Sequence, residues 1–190
     1  PVWNEYTTGS SKVIVSVVDT GIDLNHEDLA DNCSSKGHYN SVDRNEYVTA
    51  GDHGTHVAGT IAAVSNNAKG VAGIAGGDKA KGIPGVKLIS SQIFGPDGSG
   101  SGNASADAIK RAADNGAVIS QNSWGYNFDA NGDGELTGEE YTKAMNARIQ
   151  ASDKAAIDYF IKYAGCDNNG NQLPTSPMKG GVVIFAAGND

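Results

Sequence analysis

Val13-Ile14-Val15-Ser16-Val17-Val18, running into Asp19-Thr20-Gly21, is a short β-branched run that stops at a turn signal. Such a run suits a strand buried on both faces, as the strands of a parallel sheet are. The alternation of apolar strands with helical segments continues from there. Residues 53–64 are rich in Ala, Val and Ile, with small residues where a helix would meet a sheet. Val86 to Ile93 reads as the next strand, and Gly95 to Gly102 as a glycine-serine loop. Ala104 to Asn115 has helical spacing, with Ala108, Ile109, Ala112 and Ala113 on its buried side and Gly116 as its stop. Val118 to Ser123 is another strand, a long helix is predicted over 139–164, and 167–180 is a polar loop. Gly181 to Ala187 is a last strand, leading into Gly188-Asn189-Asp190. This order predicts an α/β fold, a doubly wound, mainly parallel sheet with helices on both faces. Ligands of such sheets bind beyond the carboxyl ends of the strands. Asp19, Ser123 and Asn189 all fall there. Neither an internal repeat nor a linker divides the chain, which reads as one unit.

The bulk numbers bound the function. The chain has 190 residues, 38% hydrophobic and 19% charged, a globular composition. A net charge of −8 argues against non-specific nucleic-acid binding and against an anionic membrane. No apolar run approaches the roughly 18–20 residues that span a bilayer. Pro1-Val2-Trp3 reads as a mature start, with any export signal or pro-segment removed before it. Cys33 and Cys166 form no CxxC pair. Two readings stay open: a bridge closing a long loop, worth roughly 4–5 kcal/mol in the chain-entropy model, or two free thiols.

Two strings carry chemistry. Asp19 ends an apolar strand, so its carboxylate projects from a rigid edge. A lone Asp-Thr-Gly is also an ordinary strand-ending turn. Gly51-Asp52-His53-Gly54-Thr55-His56-Val57-Ala58-Gly59-Thr60 places a histidine where a loop enters a small-residue helix. Flanking glycines permit close backbone approach there. Two histidines three apart also suit a metal, but the glutamate of an HExxH motif is absent.

Asp129-Ala130-Asn131-Gly132-Asp133-Gly134-Glu135-Leu136-Thr137-Gly138-Glu139-Glu140 fits the EF-hand calcium loop at every fixed position. Asp129, Asn131, Asp133, the Glu135 carbonyl and Glu140 supply the oxygens, with Thr137 acting through water, and Gly134 allows the sharp turn. A helix follows but none precedes, which makes 129–140 an inserted EF-like loop rather than a paired EF-hand. The other reading is an acidic solvated loop.

VVDTGID followed by HGTHVAGT, in that order, resembles the subtilase family of subtilisin-like serine proteases. By that resemblance Asp19 is the triad acid, His53 the triad base, and His56 a structural residue facing the helix–sheet packing. The family's fold matches the one read above, here as the N-terminal part of a catalytic domain. Phe94 to Gly100, with Gly98, Ser99 and Gly100, looks like the edge on which an extended peptide substrate pairs. Ser123, Trp124 and Gly125 match the second edge, and Asn189 matches the oxyanion-hole asparagine. Ser65 to Val71, including Asn66, with Asp28, resembles a second calcium loop, one residue longer than the family's.

No string resembling the family's GTSMA nucleophile motif is present. The resemblance therefore implies an incomplete sheet, a serine on a remaining catalytic-domain segment, and no peptide hydrolysis by these 190 residues alone. It also implies a secreted or cell-surface endopeptidase acting on peptides or proteins, with structural calcium. The competing class is a non-catalytic relative that binds peptide or calcium. A two-aspartate acid hydrolase lacks the second DTG element it needs.

Overall fold

The computed structural model describes residues 2–95, 98–100, 102–129 and 131–188. In chain order the elements are α1 (Val2–Glu5), β1 (Ile14–Asp19), β2 (Tyr39–Asn40), α2 (Asp52–Ala62), β3 (Gly77–Asp78), β4 (Ile83–Pro84), β5 (Lys87–Gln92), α3 (Ala104–Asp114), β6 (Ile119–Asn122), α4 (Gly138–Asn146), α5 (Ala151–Tyr163) and β7 (Val182–Phe185). Five strands form one sheet in the order β2-β5-β1-β6-β7, and β3 and β4 make a separate hairpin pair. Every pairing in the large sheet is parallel.

The central strand β1 shows why the sheet is covered twice. Side chains alternate across a strand. Val15 and Val17 join Leu88, Ala58, Ala62 and Leu29 in one core beneath α2. Val18 points the other way, into a core with Ile89, Ile109, Ala112 and Phe160 under α3 and α5. Ser16, fully buried, settles its hydroxyl against the Ser91 hydroxyl of β5 at 2.8 Å. The doubly wound α/β arrangement follows from this two-sided burial.

α3 buries Ala104, Ala108, Ile109, Ala112 and Ala113, the stripe its spacing predicts. It ends at Gly116, whose φ of 89° is the left-handed stop that glycine adopts freely. The helix predicted over 139–164 is in fact two. Ala147 and Gln150 are extended, with ψ of 148° and 144°. The Gln150 N–H donates to the Tyr126 hydroxyl at 2.9 Å. The Arg148 guanidinium caps α4 by donating to the carbonyls of Asn146 and Ala147. Good helix formers flank the break, so periodicity alone does not reveal it.

β7 is an edge strand, and Val182, Ile184 and Phe185 expose much of their side chains. Cys33 and Cys166 are free thiols, and burial pushes the Cys33 thiol up to about 11.

Candidate active site

The catalytic candidates meet where β1 ends and α2 begins. Asp19 is the last residue of β1, and its side chain is 2% exposed. His53 is the second residue of α2, and its side chain is 59% exposed. The His53 Nδ1–H donates to both Asp19 oxygens, at 2.8 and 2.9 Å. The carboxylate is held from behind by the Thr20 N–H, 2.7 Å from Oδ1. Thr20 also receives the Gly54 N–H on its hydroxyl at 3.0 Å. Thus the turn after β1 ties down both Asp19 and the helix that carries His53. The sequence reading overlooked Thr20; its signal is a hydroxyl placed directly after the strand-ending aspartate.

The glycine spacing has a steric cause. A Cβ on Gly54 would lie 2.5 Å from the Gly21 carbonyl oxygen, so only glycine lets α2 enter this close to β1. Gly54, Ala58 and Ala62, one turn apart, form the buried face of α2. His56 lies off that face. It is exposed, which corrects its expected place in the helix–sheet packing. With Asp23, His26 and Asp28 it lines a cleft of about 740 Å³ that runs past Gly51, Asp52 and Thr55 at the start of α2, though neither Asp19 nor His53 is on its lining.

The two expected substrate edges lie on the same carboxyl-end rim of the sheet. Gly98 has φ of 77° and donates its N–H to the Gly95 carbonyl, and the Gly95 N–H in turn donates to the Ser99 carbonyl. Phe94 and Gly100 bridge in antiparallel fashion. Pro96, Asp97 and Ser101 lie outside the described residues. On the other side, Ser123 follows β6, whose Asn122 pairs with Val18 of β1. The Ser123 hydroxyl accepts from Gln121 Nε2 at 3.1 Å. Trp124 meets Phe185 of β7 edge-on, 5.3 Å between centroids at 75°, and Gly125 is exposed. Asn189, the oxyanion candidate, lies outside the described residues; Gly188 before it has φ of 102°.

The 129–140 loop folds on itself. Asp129 accepts the N–H of Gly132 at 2.7 Å and of Gly134 at 2.9 Å. These bonds, Gly134 foremost, hold its carboxyl below the usual carboxylate range. The Asn131 side chain donates to Asp133 at 2.9 Å, and Asp133 accepts the Glu135 N–H at 2.9 Å. Glu140 sits in the first turn of α4. Hard carboxylate and amide oxygens at alternate positions are the donor set calcium prefers. Among the described residues, no three His, Cys, Asp or Glu side chains converge on one metal-sized point.

The second loop reaches Asp28 through Asn67 and Val71 rather than Asn66. Asp28 is buried and accepts from Asn67 Nδ2 at 2.6 Å and from the Val71 N–H at 2.8 Å. Asn66 turns elsewhere and donates to Asp78, which this bond and Lys81 hold below its usual range.

A buried carboxylate orienting a histidine at the rim of a doubly wound parallel sheet is an arrangement that acid–base hydrolases use. The model of the Subtilase family matches residues 10–190, and the chain belongs to that family. It is 32% identical to thermitase of Thermoactinomyces vulgaris over 93% of this chain and 54% of that protein. It is 41% identical to the halolysin-like extracellular serine protease Nep of Natrialba magadii, over 62% of this chain and 21% of Nep. The crystal structure of fervidolysin from Fervidobacterium pennivorans, a keratinolytic enzyme related to subtilisin, superposes on all of this chain and 23% of its own, with a TM-score of 0.61 at 27% identity. The chain therefore spans from a fifth to about half of these relatives.

Proposed function

We propose that this chain carries the acid, the base and the substrate edges of a serine endopeptidase. The observation that carries the reading is the His53–Asp19 pair, a buried carboxylate on Nδ1 with an exposed ring beyond it. Asp19 fixes the tautomer that keeps Nε2 free and stabilises the imidazolium once it forms. Nε2 then takes the proton of a serine hydroxyl and returns it to the leaving amine. In this reading that serine is supplied by a remaining catalytic-domain segment. The exposed apolar side chains of β7 offer that segment a place to pack.

In this reading the peptide lies between Gly98-Ser99-Gly100 and Ser123-Trp124-Gly125. Asn189 donates its amide to the developing oxyanion, a contact whose loss typically costs about 10²–10³ in turnover. Asp129, Asn131, Asp133, Glu135 and Glu140 would hold a structural calcium ion, which supplies a positive centre that fastens the inserted loop. The protein acts outside the cell or at its surface, as an extracellular relative such as Nep suggests. The test compares the complete protein with these 190 residues alone. Peptide turnover by the former and none by the latter is expected; turnover by the isolated chain, lost in His53→Ala, overturns the division of the triad. The non-catalytic alternative, a peptide- or calcium-binding relative, is favoured instead if the complete protein binds peptides without cleaving them.

A further inference from the structure

The carboxyl end of β5 carries a buried side chain that takes no part in the acid–base chemistry. Gln92 is the register partner of Asp19, so the two side chains leave the sheet on the same face, the one that α2 covers. Gln92 is 1% exposed. An amide sealed from water is costly unless both its ends are bonded, and both are. Oε1 accepts the Thr49 N–H at 2.8 Å, and Nε2 donates to the Phe94 carbonyl at 2.9 Å. These partners settle which end is oxygen, since an N–H needs an acceptor and a carbonyl needs a donor.

Each partner leads to a different part of the site. Thr49 lies just before Gly51, the cap of α2. Its loop is set hard against the turn after β1: a Cβ on Gly21 would lie 2.1 Å from the Thr49 carbonyl oxygen, and the Gly51 N–H donates to the Gly21 carbonyl at 3.2 Å. Oε1 is therefore anchored at the entry of the helix that carries His53. Phe94 stands where the chain leaves the sheet. The Ile93 N–H still donates to the Asp19 carbonyl at 2.8 Å. Phe94 then bridges Gly100, and the Gly95 N–H donates to the Ser99 carbonyl at 2.8 Å. The Gln92 amide thus reaches from the entry of α2 to the root of the hairpin whose outer arm is Ser99-Gly100. We infer that Gln92 is a positioning residue that sets the 98–100 substrate edge in register with the His53–Asp19 pair. The inference rests on the endopeptidase reading and adds to it a residue that governs cleavage of extended peptides more than of small esters. An apolar side chain of similar volume would fill the space but leave the Phe94 carbonyl unheld, freeing the edge to shift while the acid–base pair stays.

The test measures kcat/KM of the complete protein on two substrates: an extended chromogenic peptide, and p-nitrophenyl acetate, which is too short to reach the edge. Both need His53, so its protonation cancels in their ratio. In Gln92→Met the peptide-to-ester ratio falls about 10–100-fold, the scale of a small misplacement away from the chemistry. In Gln92→Glu the ratio, taken relative to the parent at the same pH, becomes pH-dependent. The protonated acid has the shape of the amide and still donates to the Phe94 carbonyl, whereas the carboxylate has no proton to give. Burial beside Asp19 keeps that acid protonated above the ordinary carboxylate range. The relative ratio therefore stays near one at about pH 5.5 and falls as the pH rises toward about 9. A ratio unmoved in Gln92→Met, or one flat with pH in Gln92→Glu, overturns the inference. Loss of the fold in both variants makes Gln92 a structural residue and overturns it too. Each of these outcomes leaves the endopeptidase intact; failure of the parent to cleave any peptide overturns the endopeptidase reading itself.

Discussion

The Asp19–His53 pair and residues 129–146, which follow β6 in the chain, are built in opposite ways. Asp19 and His53 are joined across 34 positions by a buried sheet strand, a helix start and the Thr20 turn. Their geometry is inherited from two cores that close above and below β1. The 129–135 loop instead holds itself through bonds between near neighbours, and α4 after it buries no residue at all. On either side of this region, Tyr126 receives the Gln150 N–H and donates to Asp153. The Asp19–His53 pair thus stands on the part of the fold that burial makes rigid, whereas α4 and the loop before it bury almost nothing.

The largest expected effect breaks the rigid side. In the complete protein Asp19→Asn leaves the fold but loses the tautomer, and kcat should fall by about 10⁴. Steady-state kinetics beside circular dichroism checks this; a fall shared equally by folding and activity would mean that Asp19 is structural. Next comes the core on which the rim stands. Phe160 is fully buried, and Phe160→Ala should cost about 3–5 kcal/mol in denaturant unfolding. A similar truncation on α4, Met145→Ala, should cost almost nothing, since Met145 is 65% exposed.

A smaller effect sharpens the contrast. Calcium should raise the melting temperature, and Asp129→Ala should remove most of that rise. Calorimetry that shows no calcium response in the parent protein would leave 129–140 an acidic solvated loop.

The smallest effect concerns His38, which the sequence reading passed over. Its Nε2–H donates to the Ser34 carbonyl at 2.8 Å, and Nδ1 accepts the Ser90 N–H of β5 at 3.0 Å. Burial pushes its pKa below the ordinary value. The unfolded chain therefore takes up the proton first. The stability from neutral His38 is fully present above the ordinary imidazole pKa and is lost as pH falls from there toward the lower folded value. Melting temperatures between pH 7 and pH 5 should fall less steeply in His38→Gln than in the parent; equal slopes would remove His38 from the account.

Much of this was legible because the signals are local. The run from Val13 to Val18 suits a strand buried on both faces, and β1 forms over Ile14–Asp19; Gly54, Ala58 and Ala62 mark the buried face of α2. The pairing of Asp19 with His53 came from family resemblance, and the structure gives it distances. The break at 147–150 was hidden because a phenol distant in sequence, Tyr126, makes it. Gln92 was hidden for the same reason. In sequence it is an ordinary strand residue, and only the fold brings the Thr49 N–H to its amide. His56 was misplaced because the face of α2 that meets the sheet is set by the small residues at 54, 58 and 62, and position 56 lies off it.

The central claim is that the imidazole held by Asp19 is the general base of a peptide hydrolase. Turnover of a chromogenic peptide by the complete protein, with and without His53→Ala, tests it most directly. A loss of roughly 10⁴-fold or more in kcat with an unchanged melting temperature is the predicted result. Turnover that survives the substitution would contradict it.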